Sequence, residues 1–277
     1  ARVIDPSGNV TEYELIREAV DSAPDGATVE ILPGTYEESA TVSADNLTIR
    51  GEGVHIKNAT AGGKATFVVN GNNTTFEGLE ISGARVSDDQ GSPIRLQAED
   101  LTLRNVYFHD NQKGLIGGRG TVVIEDSRFE NNSGREKSHG VYFSDEIEKA
   151  IIRNSEFIGM NSGGHEIKSR AKVTIIENSL IASGDGRDSR LIDISEGGHL
   201  TVRNSVLESG PNSTNPEMIG FGKEAYLRVY DEHSVTIEDS LIINDTGNSA
   251  RWLDLDSIVA DAPVTIKGNT FVGGDNT

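Results

Sequence analysis

The sequence predicts an all-β fold, a right-handed parallel β-helix solenoid of about nine coils with a short N-terminal capping helix. Three observations predict it. First, a phrase of alternating apolar and polar residues closed by Asn, Asp or Gly recurs nine times along the 277 residues. It reads Leu47-Thr-Ile-Arg-Gly51, Thr75-Phe-Glu-Gly78, Leu101-Thr-Leu-Arg-Asn105, Val123-Ile-Glu-Asp126 and Ile151-Ile-Arg-Asn154, then Ile175-Ile-Glu-Asn178, Leu200-Thr-Val-Arg-Asn204, Val235-Thr-Ile-Glu-Asp239 and Val264-Thr-Ile-Lys-Gly268. Steps of 27, 27, 21, 28, 24, 26, 35 and 29 separate the closing residues, the period of a solenoid. Second, each copy has room for two or three short strands and none for a helix, which excludes leucine-rich and helical repeats. Third, 31 glycines with many Asn, Ser and Thr suit short strands separated by turns.

In chain order, Thr11-Glu12-Tyr13-Glu14 has the form of a capping box, and Leu15, Ile16, Ala19, Val20 and Ala23 follow at helical spacing. An amphipathic helix over about 12–23 is expected, placed to cover the open first coil. Asp25-Gly26 ends it, and Ala27 to Leu32 alternates like a strand. Coils then run from about 27 to 272 in a single domain spanning 1–277, with right-handed crossovers. Stacked at roughly 4.8 Å, nine coils make a rod about 45 Å long. Gly273 to Thr277 offers no comparable cap, leaving the far end truncated or covered by the loop around 223–234. Asn105, Asn154, Asn178 and Asn204 read as turn and ladder residues.

Composition narrows the function classes. There is no cysteine, so disulfides and thiolate chemistry are excluded, and no apolar run is long enough for a membrane span. The net charge of −19 argues against nucleic acid and anionic membranes as partners. The middle differs: residues 110–190 hold 12 Lys/Arg against 13 Asp/Glu, so nearly all the excess lies elsewhere, and a polyanion could be received there. The chain opens Ala1-Arg2-Val3 with neither Met nor a signal peptide, which fits a processed secreted protein or a trimmed chain.

The capping helix, the phrase Asp25-Gly26-Ala27-Thr28-Val29-Glu30-Ile31-Leu32-Pro33-Gly34-Thr35-Tyr36 and the Asn-Ser-bearing coils resemble the pectin-lyase-like superfamily of right-handed β-helices across essentially the whole chain. That superfamily includes polysaccharide lyases, glycoside hydrolases, mannuronan C5-epimerases and non-catalytic carbohydrate-binding proteins. The resemblance implies an acidic polysaccharide substrate and a secreted or periplasmic bacterial protein, expected here to be a monomer.

A second column of segments lies between the phrases. It reads Lys113-Gly-Leu-Ile-Gly-Gly118, His139-Gly-Val-Tyr-Phe-Ser144, His165-Glu-Ile-Lys-Ser-Arg170, Arg190-Leu-Ile-Asp-Ile-Ser195, Glu217-Met-Ile-Gly-Phe-Gly222 and Arg251-Trp-Leu-Asp-Leu-Asp256. The third position is always apolar, so by strand alternation positions three and five point inward and two, four and six outward. Parity turns the first position inward, but it stands at a corner. The fourth place then holds Ile116, Tyr142, Lys168, Asp193, Gly220 and Asp254, and the sixth adds Arg170. Tyr142, Lys168, Arg170 and Asp193 fit the footprint of one or two sugars.

β-Elimination beside a uronic acid needs a neutralised carboxylate, a base for the C5 proton and an acid for the leaving oxygen. We assign Lys168 as base, Tyr142 as acid, and Arg170 with His139 and His165 as the remaining catalytic groups, Arg190 sharing the carboxylate. Arg190, Lys113, Asp193, Glu166 and Trp252 are expected to bind substrate. The Lys-x-Arg on one strand resembles the Lys/Arg pairs of some β-helical lyases. Structural alternatives stand beside these roles: a hydrogen-bonded ladder for the two histidines, plain surface positions for Lys168 and Glu166, and ion pairs for Arg170. A C5-epimerase would use almost the same groups. Hydrolysis comes third, because Asp193 and Asp254 stand two rungs apart, roughly 9–10 Å. A binding rod is fourth. Asp193, Glu166, Asp254 and Asp256 offer oxygen ligands for Ca2+, and metal-free neutralisation serves equally, so the sequence leaves Ca2+ open as a cofactor.

Overall fold

In the computed structural model, which describes residues 1–135, 138–226, 230–247 and 251–273, the chain coils into stacked parallel strands. Three sheets run the length of the rod. Sheet 1 carries Ala40–Val42, Ala65–Val69, the starts of Ser92–Arg104, Leu115–Glu125 and Val141–Arg153, then Ile167–Ser169, Ile192–Ile194, Glu217–Phe221 and Arg251–Leu255. Sheet 2 contains the repeated phrases, and sheet 3 the short strands that follow them, such as Tyr107–His109 and Glu156–Ile158. Every coil-to-coil pairing is parallel, for instance Tyr142 opposite Lys168 and Lys168 opposite Asp193.

The period follows from what each corner needs. Asn105, Asn154, Asn178 and Asn204 have φ of 48–51°, the left-handed region that Asn tolerates because its short amide bonds locally. One residue on, a serine ladder stitches the coils: the backbone N–H groups of Ser127, Ser155, Ser179 and Ser205 each donate to the next serine Oγ at 3.1–3.2 Å. Inside, Phe108, Phe129 and Phe157 form a ring column with centroids 5.3 and 4.7 Å apart, and the inward Leu115, Val141, Ile167, Ile192 and Ile219 are fully buried.

Both ends correct the sequence reading. The helix is Ile16–Ser22, not 12–23, because Val10–Glu12 pairs antiparallel with Arg2–Ile4. The anticipated capping box is therefore absent. Leu15 is the N-cap without a side-chain bond, and Glu38 Oε2 accepts from Ile16 N at 2.8 Å instead. Ile16, Ala19 and Val20 still join the core of the first coils. The described part of the 223–234 loop does not cover the far end. It turns back along the rod, where the Tyr230 hydroxyl donates to Arg170 O at 2.7 Å. Residues 274–277 of the expected uncapped tail lie outside the described residues.

Candidate functional site

The outward column of sheet 1 runs in register through Arg95, Ile116, Tyr142, Lys168, Asp193, Gly220 and Asp254. Lys168, although outward, is only 8% exposed. Its Nζ contacts Glu224 Oε1 at 2.5 Å and Asp193 Oδ2 at 3.8 Å. The other oxygen of Glu224 takes the guanidinium of Arg170, which also donates to Glu196 Oε1 at 2.5 Å. One carboxylate is thus gripped by the lysine of the strand Ile167–Ser169 and the arginine that directly follows it.

Asp193 is the buried hub. It accepts from Ser195 Oγ at 2.7 Å and from Arg190 Nη1 at 3.2 Å, and His165 Nε2 lies 3.9 Å away. Arg190 reaches on to Glu217 at 3.3 Å. It can lie across the sheet because the next rung presents Gly220: a Cβ there would stand 2.8 Å from Arg190 Cδ and 3.0 Å from Asp193 Oδ1.

The two histidines build the ladder held open as the structural alternative. His139 Nδ1 accepts the backbone N–H of His165 at 3.0 Å, and His165 Nδ1 accepts that of Arg190 at 3.1 Å. Their rings stack at 5.1 Å. A ring nitrogen that accepts carries no hydrogen, so each neutral imidazole keeps its hydrogen on Nε2. These rings can donate toward the face and cannot act there as bases. Burial pushes His165 down to about 4 and His139 well below its ordinary value, so both are neutral near pH 7. Lys113, 8% exposed, is likewise lowered, first by burial, with Arg95 and Lys168 adding repulsion and Asp89 opposing.

Position two departs from simple alternation, which corrects two residues. Glu166 sits in a bend just before the strand Ile167–Ser169, where its side chain turns into the rod. Glu166 is 1% exposed, accepts from Met160 N at 2.8 Å, and is pushed well up by burial and then by Asp188. Trp252 packs on Phe271 at 5.7 Å against the core. Neither stands on the outward face where substrate contact was expected.

The oxygen ligands considered for Ca2+ are also dispersed. Asp254 pairs with Lys223 and with Arg251 at 3.2 Å, Asp256 Oδ1 accepts from Ile258 N at 3.0 Å, and Glu166 is enclosed. Among the described residues these four gather into no common ligand group.

Sequence reasoning missed Glu224, Glu196 and Glu217. Glu217 heads a segment of the column, but nothing marked its partners. Glu224 follows Gly222 (φ 75°), a turn signal that indicates a loop without indicating where it goes. With Lys168, Arg170 and Arg190 facing Asp193, Glu196, Glu217 and Glu224, the cations are matched by carboxylates and form no bare positive patch. A separate cleft of about 580 Å3 lies on another part of the rod, lined by the charged groups of Arg2, Glu30, Arg50 and Glu77. It contains none of the residues above.

A family model described as right handed beta helix region matches residues 36–207 and 115–277. No curated protein sequence matches. Among solved structures, a pectate lyase superposes with a TM-score of 0.62 at 13% identity, covering 93% of this chain and 70% of its own. An alginate lyase from a Paenibacillus species gives 0.58 at 17% identity, with 94% and 93% covered. A pectin methylesterase from Aspergillus niger gives 0.52 at 15%, with 96% and 84% covered. At these identities the likeness is one of fold.

Proposed function

We propose that this chain, which belongs to the right handed beta helix family, is a lyase that cleaves a uronic-acid-containing polysaccharide by β-elimination. The observation that carries the proposal is the carboxylate of Glu224 shared by Lys168 and Arg170. It occupies the place that the carboxylate of a bound uronate would take. Neutralising that carboxylate makes the C5 proton acidic and stabilises the developing enolate charge.

Lys168, held between Glu224 and Asp193, is a positive group suited to gripping. The base role first given to it therefore passes elsewhere. Tyr142, its neighbour one coil earlier, is the group left to move the proton. The role requires Tyr142 to enter as the phenolate: the C5 proton goes to its oxygen, the C4–O bond breaks with its electron pair on the leaving oxygen, C4=C5 forms, and the same proton passes from Tyr142 to that oxygen, which restores the phenolate. Arg190 and Asp193 orient Lys168, while His139 and His165 shape the adjoining corner as neutral donors. Such a substrate places the enzyme outside the bacterial cytoplasm, secreted or periplasmic, and a monomer suffices.

Ultraviolet absorbance of the unsaturated product, measured across alginate, pectate, glucuronan and glycosaminoglycan panels, tests the reaction. Absorbance growing with turnover is expected on one of them. New reducing ends without the chromophore would replace the proposal with hydrolysis. One observation favours that second reading: Asp193 and Glu224 touch the same Lys168 ammonium, at 3.8 and 2.5 Å. Their oxygens are no farther apart than those two distances combined, within reach of the roughly 5–5.5 Å of a retaining pair. Altered sugar stereochemistry at unchanged chain length would indicate an epimerase.

A further inference from the structure

We propose that His55, Glu80 and His109 form a binding site for a divalent transition-metal ion, Zn2+ above all, on sheet 3. The three residues come from consecutive coils: His55 is opposite Glu80, and Ser82, two residues after Glu80, is opposite His109. Glu80 Oε1 lies 3.1 Å from His109 Nε2 and 3.6 Å from His55 Nδ1, and the three ligand atoms all fall within 4.8 Å of one another. Tetrahedral Zn2+ with bonds near 2.0–2.1 Å requires ligand atoms about 3.3 Å apart, and the two distances to Glu80 bracket that edge.

The far sides of the rings are already committed. His109 Nδ1 lies 2.7 Å from Asp110 Oδ2, and His55 Nε2 lies 2.7 Å from Ser82 Oγ. An ionised carboxylate only accepts, so Nδ1 of His109 carries the hydrogen in its bond to Asp110. In a neutral ring, Nε2 then turns a lone pair toward the lone pairs of Glu80. A proton, on the ring or on Glu80, or a metal ion must lie between them. An imidazole N–H held by a carboxylate is the outer-shell support that metal-bound histidine has. Tyr107 stacks on His109 at 4.3 Å and donates to Glu130 at 2.6 Å, which fixes the ring plane.

Chemistry selects the ion. Two imidazoles and one carboxylate suit Zn2+ and its neighbours, whereas Ca2+ takes oxygen ligands alone. The side chains are 29%, 40% and 16% exposed for His55, Glu80 and His109, so a water can complete the shell. The bound ion would clip three successive coils together. It stands on a different sheet from the candidate catalytic face, so its role does not depend on that activity.

Untagged protein stripped of metal, titrated with Zn2+ by calorimetry and with Co2+ by visible absorbance, tests the site. We expect saturation at one equivalent, the intense absorption of tetrahedral Co2+, and a melting temperature that rises with free Zn2+ as binding to the folded state requires. His55→Ala and Glu80→Gln should each lose the Co2+ spectrum and the melting shift while keeping the circular dichroism of the metal-free protein. Asp110→Asn should weaken affinity about 10–100-fold. No saturable binding in the parent protein would show that a proton alone bridges His109 and Glu80, overturning the proposal. Unchanged binding in both His55→Ala and Glu80→Gln would overturn it equally.

Discussion

Nζ of Lys168 lies 2.5 Å from Oε1 of Glu224, although 56 residues separate the two in the chain. The contact exists because the chain leaves sheet 1 after Phe221 and stays against it, Glu224 N donating to Ser195 O at 2.7 Å. From there the Glu224 side chain reaches one coil further back, to Lys168 and Arg170.

If Glu224 occupies the place of a substrate carboxylate, Glu224→Gln should free the clamp. The expected result is a KM lowered about tenfold with kcat largely kept, since a charged hydrogen bond contributes roughly 1.5–3 kcal/mol before solvent screening. Steady-state kinetics on the polysaccharide found active in the panel check this. Loss of kcat by 10²-fold or more would assign Glu224 to the chemistry and favour hydrolysis.

Tyr142→Phe removes one oxygen from the face and leaves the ring. As the proton-transfer group, its loss should lower kcat about 10²-fold or more with KM nearly unchanged. Arg170→Ala should raise KM as well, because it removes half of the carboxylate grip. A Tyr142→Phe enzyme with near-normal kcat would move the site elsewhere on the rod.

His165 sets a pH dependence of stability. Its folded value of about 4 lies below the ordinary 6.5, so between those limits the unfolded chain binds a proton that the folded protein refuses. Stability contributed by the neutral ring is present above pH 6.5 and is lost as pH falls toward 4, by about 3 kcal/mol. In His165→Asn, the amide oxygen can still accept from Arg190 N. Urea unfolding at stepped pH should therefore show a flatter profile over this window than the parent protein.

Glu166 and Asp188 act with the opposite sign. Burial pushes Glu166 well up and Asp188 to about 6 from 3.8. Folding therefore favours their protonated forms, and stability falls as pH rises through the raised values. Glu166→Gln should be more stable than the parent at pH 8 by on the order of 1–3 kcal/mol, the gap closing toward pH 4. Melting temperatures across that range measure it.

Phe157 is fully buried and stacked on Phe129 at 4.7 Å. Phe157→Ala should cost about 3–5 kcal/mol in denaturant unfolding, with KM unchanged if the column serves only the core.

What the sequence determined by itself is the coil. Strand alternation and a recurring left-handed Asn or Asp corner are local properties, and they dictate that Ile167 points in, that Lys168 points out, and that Tyr142, Lys168 and Asp193 align once coils stack. The same local reasoning failed where geometry is not local. A bend just before the strand Ile167–Ser169 turned Glu166 into the rod, since alternation holds only along an extended strand. Val10–Glu12 joined an antiparallel pair in preference to the helix, and Glu38, 22 residues downstream of Ile16, took over the cap. Above all, only the tertiary structure decided which carboxylates meet the cations. Glu224 reaches Lys168 through a loop whose path depends on packing against earlier coils, and His55, Glu80 and His109 converge across three coils spaced by the register of sheet 3. Sequence periodicity specifies which residues share a column, but the distances between charged groups on different elements are set by how loops and corners pack.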